Sequence, residues 1–181
     1  KPHLEKAGAN LQKNLEQVDL VDFFSAVDNE ARDRLSVFSQ GINRYEEFPR
    51  EPRPPEPPTF WRDGTTRVLD YAAGDENARP ILVVPSLINR SYILDLTERK
   101  SLMRHLACDG FRPFLVDWGA PGPQESNFDL TAYICGRLEP IADEIFEATG
   151  QAPALLGYCM GGLLTLALAA RRPDRVAALA L

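Results

Sequence analysis

The chain has 181 residues, a hydrophobic fraction of 44% and a formal net charge of −6 at pH 7. This length allows one domain, or one domain and a small appendage, and the apolar content is enough to bury a core. The negative charge argues against non-specific nucleic-acid binding, and no apolar stretch is long enough to predict a transmembrane segment, so small molecules or proteins are the expected partners.

The first segment, residues 1–48, carries apolar residues at three- and four-residue steps with charged residues between them. This spacing predicts an amphipathic helical segment, with Asp28–Asn29 separating two helices. Residues 49–59 are dense in proline, which forbids helix and internal strand. They predict an extended, semi-rigid linker.

Residues 60–181 alternate between strand and helix patterns. This alternation predicts an α/β domain with a mainly parallel sheet covered by helices on both faces. The predicted strands are Arg67–Ala73, Ile81–Pro85, Phe114–Trp118, Ala154–Tyr158 and Val176–Leu181, and the predicted helices are Leu102–Cys108, Leu130–Ala148 and Gly161–Arg171.

The most informative segment is Gly157–Gly162, where Cys159 lies between Gly157 and Gly161. A strand followed by G-x-C-x-G and a helix is typical of a nucleophile elbow, with cysteine in the place of the commoner serine. The tight turn leaves no room for bulky flanking side chains and holds the nucleophile in a strained conformation. The backbone amide of Met160 is expected to form half of an oxyanion hole.

A purely structural cysteine is the alternative, because free cysteine often only fills space in a core. The strand before Cys159 and the helix after it favour the nucleophile instead. Cys108 and Cys135 lack flanking elbow glycines and are predicted to be packing residues in helices. The three cysteines form no C-x-x-C pair, which suits a reducing cytoplasm.

Three segments of residues 60–181 carry a family resemblance, namely Val84–Leu96, Phe114–Gly119 and Gly157–Gly162. With these segments, the chain from about Phe60 onward resembles the N-terminal half of the catalytic domain of polyhydroxyalkanoate synthases, which have an α/β-hydrolase fold. Val84–Leu96 is similar to the V-P-x-x-I-N-x-x-Y-I-L-D-L segment of that family. The Val84–Leu96 block joined to the cysteine motif is the specific part. The helices of residues 1–48 are not distinctive.

The resemblance implies a role for each matching position. Cys159 matches the cysteine that carries the growing polyester as a thioester, and Met160 and Ile88 match positions whose backbone amides face the acyl oxygen. Asp95 and Asn89 are expected to support the loop rather than to do chemistry, and Tyr92 is assigned with them. Gly157 and Gly161 are expected to support the cysteine turn.

The resemblance also implies a hydroxyacyl-CoA substrate, a polyester product, a homodimer and a location in the cytoplasm at the granule surface, without metal or redox cofactor. A hydrolase on the same scaffold (an esterase, thioesterase or polyester depolymerase) and a non-catalytic remnant or regulator stay open as alternatives.

The residues after Cys159 contain no histidine, and Asp174 is their sole carboxylate. In this fold the acid and the histidine follow the nucleophile along the chain. Asp174 is better interpreted as a turn residue, and neither His3 nor His105 is expected to be catalytic. The chain is therefore predicted to be an inactive, C-terminally truncated fragment of the catalytic domain.

Overall fold

The computed structural model describes residues 5–8, 18–72 and 77–181. It separates into two compact units, residues 1–50 and residues 51–181. The proposed division at residues 48 and 59 stays a prediction. Residues 49–58 form neither helix nor strand, and His3, residues 9–17 and Ala73 lie outside the described residues.

The first unit contains helix α1, Leu20–Glu47, after a helical turn at residues 5–8. Asp19 caps α1, since its Oδ1 accepts a hydrogen bond of 2.8 Å from the Val21 amide. The predicted break at Asp28–Asn29 is wrong, because both residues lie inside this continuous helix. The interior aspartate costs a helix little, and Asp28 forms an ion pair with Arg32 one turn later.

The second unit is built on a six-stranded sheet. Its strands are β1 (Thr59–Asp63), β2 (Thr66–Asp70), β3 (Arg79–Val84), β6 (Phe111–Asp117), β7 (Ala154–Gly157) and β8 (Ala178–Ala180), and a separate ribbon pairs β4 (Asp95–Thr97) with β5 (Lys100–Ser101). The order in the sheet is β1-β2-β6-β3-β7-β8. Strands β6, β3, β7 and β8 are parallel, while β1 and β2 add an antiparallel edge.

The helices of this unit are α2 (Leu102–Cys108), α3 (Leu130–Tyr133), α4 (Glu139–Thr149) and α5 (Met160–Arg171). A π-helical turn, Ile134–Leu138, joins α3 to α4. The single helix predicted for Leu130–Ala148 is therefore continuous but locally widened by the π-helical turn, and its end at Gly150 has the left-handed φ of 68° expected of a glycine after a helix.

Two apolar clusters cover the two faces of the sheet. Leu82 and Val84 of β3 face one cluster with residues of α4 and α5, while Ile81 and Val83 face the other with Met103 of α2. The alternation follows from the two-residue period of a strand. The sheet is therefore mixed, mainly parallel, and covered on both faces by helices.

Strand β1 was missed by the sequence analysis. It forms a hairpin with β2 through Gly64, whose φ of 57° is the positive value that a two-residue hairpin loop requires. Asp63–Gly64 was the available signal. The hairpin makes β2 the second strand from the edge of the sheet.

Candidate active site

The turn at Cys159 connects the carboxyl end of β7 to the first residue of α5. Cys159 has φ 57° and ψ −125°, and it is the one non-glycine residue with positive φ in the described part of the chain. A side chain is held in such a conformation only where the surrounding structure determines it, and these positions cluster at active sites. The Cys159 residue is exposed at this edge of the sheet.

Backbone contacts around the two flanking glycines hold this turn. A Cβ atom added to Gly161 would lie 1.9 Å from the carbonyl oxygen of Val84, and one added to Gly157 would lie 2.4 Å from the Gly162 Cα. The Tyr158 amide donates a 2.9 Å hydrogen bond to the Val84 carbonyl, which ties the turn to β3. Because the colliding atoms belong to the backbone, no side chain fits at Gly157 or Gly161.

Met160 is the first residue of α5. Amides in the first turn of a helix have no intrahelical acceptor, so they are available to a ligand at the helix end. This placement suits the predicted contribution of Met160 to an oxyanion hole, which stays a prediction.

Ile88 lies in the loop that leaves β3 at the same edge of the sheet. Its side chain is 84% exposed, and its amide donates a 3.1 Å hydrogen bond to Oγ of the buried Ser86. The amide predicted to face an acyl oxygen is thus already engaged with Ser86. Its oxyanion role stays a prediction, and it requires this amide to turn from Ser86 to the substrate.

Asp95 closes the same loop and is almost fully buried. Its carboxylate accepts hydrogen bonds of 3.0 Å from Nε and 3.3 Å from Nη2 of Arg104, and one of 2.9 Å from the Tyr71 hydroxyl. Burial of the Tyr71 ring and its hydrogen bond to Asp95 raise the pKa of Tyr71 well above its ordinary value. All of these contacts are of the kind that anchor a loop, and none leaves the carboxylate free for chemistry.

Asn89 and Tyr92 are both exposed in this loop. Among the residues that the structure describes, Asn89 makes no side-chain hydrogen bond. Tyr92 instead contacts Arg53, whose Cζ lies 3.7 Å from the centroid of the Tyr92 ring. No side-chain hydrogen bond of Asn89 therefore supports the loop-holding role predicted for it, and this role stays a prediction.

Trp118 is a further loop-holding residue whose contact was not predicted. Its Nε1 donates a 3.1 Å hydrogen bond to the carbonyl of Pro85, and its ring meets that of Tyr133 edge to face at 5.4 Å. The bond joins the ends of β6 and β3. The signal was the tryptophan at the end of a buried strand, since a buried indole N–H needs an acceptor.

A small cavity lies between the loops that follow β3 and β6. Its volume is about 160 Å³, and its walls include Ile88, Asn89, Trp118 and Gly119. Because β6, β3 and β7 are adjacent parallel strands, the cavity and Cys159 share the carboxyl edge of the sheet. Ligands of open α/β sheets bind at this edge.

The other reactive residues lie apart from this edge. His105 is exposed on α2, with its Nε2 3.5 Å from Asp109 Oδ2. Asp174 lies in the turn Pro173–Arg175, and hydrogen bonds from Arg172 hold the pKa of Asp174 below its ordinary value.

Cys108 is exposed, so its predicted packing role is wrong; it occupies the last position of α2, where the helix meets solvent. Cys135 is half-buried. Within residues 5–8, 18–72 and 77–181, no three histidine, cysteine or acidic side chains are grouped to hold a metal ion, and no helix has the length and apolar character to span a membrane.

The fold and the cysteine turn indicate the class of protein to which the chain belongs. A sequence model of the alpha/beta hydrolase fold family matches residues 79–181, more than half of the chain, so the chain belongs to this family. A monoglyceride lipase from Saccharomyces cerevisiae shares the fold with a TM-score of 0.52 at 18% identity, over 74% of this chain and 45% of the lipase. A thioesterase domain from the curacin biosynthetic pathway gives 0.51 at 16% identity, over 68% and 42%.

Two curated relatives are more similar to the chain in sequence than these two solved structures are. The poly(3-hydroxyalkanoate) polymerase subunit PhaC of Haloferax mediterranei is 34% identical over 147 residues, covering 80% of this chain and 30% of that protein. A poly(3-hydroxyalkanoate) polymerase of Methylorubrum extorquens is 33% identical over 181 residues, covering 95% and 28%. The chain thus spans less than a third of these relatives. The resemblance to polyhydroxyalkanoate synthases and the α/β-hydrolase fold are both confirmed.

Proposed function

We propose that the protein carrying this chain is a polyhydroxyalkanoate synthase-like acyltransferase that polymerises hydroxyacyl-CoA through a thioester on Cys159. The observation that carries the proposal is the exposed Cys159 at φ 57°, locked between two glycines at the start of a helix. The polymerases at 33–34% identity supply the substrate class.

In the proposed reaction the Cys159 sulfur, once deprotonated, attacks the carbonyl carbon of the thioester. The carbonyl oxygen becomes an oxyanion, to which the amides of Met160 and Ile88 donate hydrogen bonds. The C–S bond to CoA then breaks, and the CoA thiolate takes up a proton. The acyl group stays on Cys159 as a thioester, which preserves its activation.

In the second half-reaction the hydroxyl of another hydroxyacyl unit attacks the acyl-enzyme. A base removes the hydroxyl proton, the new ester bond forms, and the Cys159 thiolate leaves. No histidine follows Cys159 in these residues. We propose that the base and its orienting acid are supplied by further chain, and that residues 1–181 alone do not turn over.

The partners proposed with this activity are the growing polyester, a second copy of the protein and the granule surface in the cytoplasm. The exposed apolar side chains of α1, among them Leu20, Phe24 and Phe38, are available for one of these contacts.

The direct test is to incubate the full-length protein with 3-hydroxybutyryl-CoA and to measure CoA release, polymer and free acid. We expect polymer with CoA release, loss of both in Cys159→Ala, and an acyl adduct on Cys159 by mass spectrometry in the wild type. Free acid without polymer would favour the hydrolase instead, and turnover by Cys159→Ala would remove the proposal altogether.

A further inference from the structure

Arginine side chains line a second cavity beside the small one. Its volume is about 370 Å³, and its walls are Arg53, Arg67, Arg90, Ser91, Tyr92 and Asp117.

The positive charge of this cavity is not balanced. Arg67 forms ion pairs with Glu56 and Asp117, but neither Arg53 nor Arg90 has a carboxylate within 4.0 Å among residues 5–8, 18–72 and 77–181. Other arginines of the same unit, such as Arg104 and Arg112, are paired with aspartates. Two unpaired guanidinium groups facing one concavity attract an anion.

Two of the three arginines are held in place before any ligand arrives. The Arg53 guanidinium lies 3.7 Å from the Tyr92 ring centroid, which is a favourable cation–π distance. Arg67 Nε donates a 2.9 Å hydrogen bond to Asp117 at the end of β6. Because Glu56 and Asp117 already engage Nε, Nη1 and Nη2 of Arg67, Arg67 supplies a fixed wall. The Arg53 guanidinium, held on the Tyr92 ring, can instead bind phosphate oxygens in a bidentate manner with little further loss of side-chain entropy.

The arginine-lined cavity adjoins the candidate active site. Arg90, Ser91 and Asp117 line both this cavity and the one that includes Ile88 and Trp118. The two cavities therefore share a wall at the carboxyl edge of the sheet, so a ligand bound at the arginines would lie beside the loop of Ile88.

From this geometry we propose that Arg53, Arg67 and Arg90 form a binding site for phosphate groups, and that these belong to the nucleotide portion of the acyl donor. The second half of the proposal rests on the acyltransferase function proposed above. Arg53 and Arg90 contribute charge and bidentate contacts, Arg67 supplies a fixed wall, and the Tyr92 ring keeps the Arg53 guanidinium in place.

Binding is tested by calorimetry on the full-length protein with unacylated CoA, pantetheine and inorganic phosphate as probes. We expect Arg53→Gln and Arg90→Gln each to weaken CoA binding about tenfold, the loss expected for one charged contact. Arg99→Gln is the matched control, since Arg99 is exposed and lines neither cavity. Pantetheine, which carries no phosphate, should bind all variants equally.

Unchanged CoA binding in both variants would overturn the site. Inorganic phosphate that binds the wild type and is not displaced by CoA would show a free anion as the natural ligand, and it would overturn the assignment to the acyl donor.

Kinetics separate this proposal from the proposed function. With 3-hydroxybutyryl-CoA, we expect KM to rise about tenfold with kcat little changed in Arg53→Gln, because Arg53 lines the arginine cavity and not the cavity beside Ile88. With the phosphate-free N-acetylcysteamine thioester, the rate should be the same in wild type and variant. Equal losses on both thioesters would overturn the proposal. If the wild type turns over neither thioester, the proposed function fails, while the CoA titration still decides the phosphate site.

Discussion

The two loops at the carboxyl edge of the sheet are held in different ways. The turn at Cys159 is fixed by backbone against backbone, with Gly161 packed on the Val84 carbonyl. The loop from Pro85 to Asp95 is fixed by side-chain hydrogen bonds from Trp118, Arg104 and Tyr71. Cys159 therefore has a rigid position, whereas side-chain substitutions can adjust the position of the loop that carries Ile88.

The largest effect is expected at Gly161. In Gly161→Ala the new Cβ would lie 1.9 Å from the Val84 oxygen, so we expect a loss of about 3 kcal/mol or more of unfolding free energy and loss of turnover. Gly162→Ala is the matched control, because its Cβ would meet Leu181 at an ordinary 3.5 Å. For both full-length variants, urea denaturation measures the unfolding free energy and an acyl-transfer assay measures the turnover. Similar effects of the two substitutions would mean that backbone packing does not fix the turn.

A smaller effect is expected at the anchor of the second loop. Asp95→Asn leaves Arg104 without its counter-charge, and since the Arg104 side chain is 30% exposed we expect a cost of about 2 kcal/mol. Arg104→Gln alone and the double variant complete a cycle, in which a coupling energy of about 1 kcal/mol is expected. Additive effects in urea denaturation would show that Asp95 and Arg104 do not support each other.

The smallest effect is expected at Tyr71 and depends on pH. Because burial and Asp95 raise the pKa of Tyr71 in the folded state, its contribution is fully present below the unfolded pKa of about 10 and is lost as pH rises above it. Tyr71→Phe should be less stable than wild type by about 1 kcal/mol near neutral pH. This difference should shrink above pH 10 in denaturation series at several pH values. A stability difference that does not change with pH would show that the Tyr71 hydroxyl does not help to anchor the loop.

Local patterns predicted much of the fold. The bounds of Leu102–Cys108 agree with the structure, because an apolar face, the Ser101 cap and Gly110 are all local signals. The cysteine turn was predictable for the same reason, since its glycines are adjacent in sequence to Cys159. The mainly parallel character of the sheet followed from the alternation of strand and helix.

What escaped prediction depends on partners distant in sequence. The π-helical turn includes the buried Arg137, which forms ion pairs with Asp63 of the β1–β2 hairpin and with Glu125. No pattern within residues 130–149 predicts these ion-pair partners. The contacts of Asp95 with Tyr71 and Arg104 and the convergence of Arg53 on Arg90 likewise arise only when separate segments fold together.

Arg104, which anchors Asp95, makes a second contact with the proline-rich segment. Its Nη2 donates a 2.9 Å hydrogen bond to the Pro55 carbonyl in the proline-rich segment, as well as one to Asp95. Prolines keep that segment stiff, and one guanidinium group bridges it to Asp95 at the end of the Ile88 loop. The proline-rich stretch is thus connected through one side chain to the carboxyl edge of the sheet.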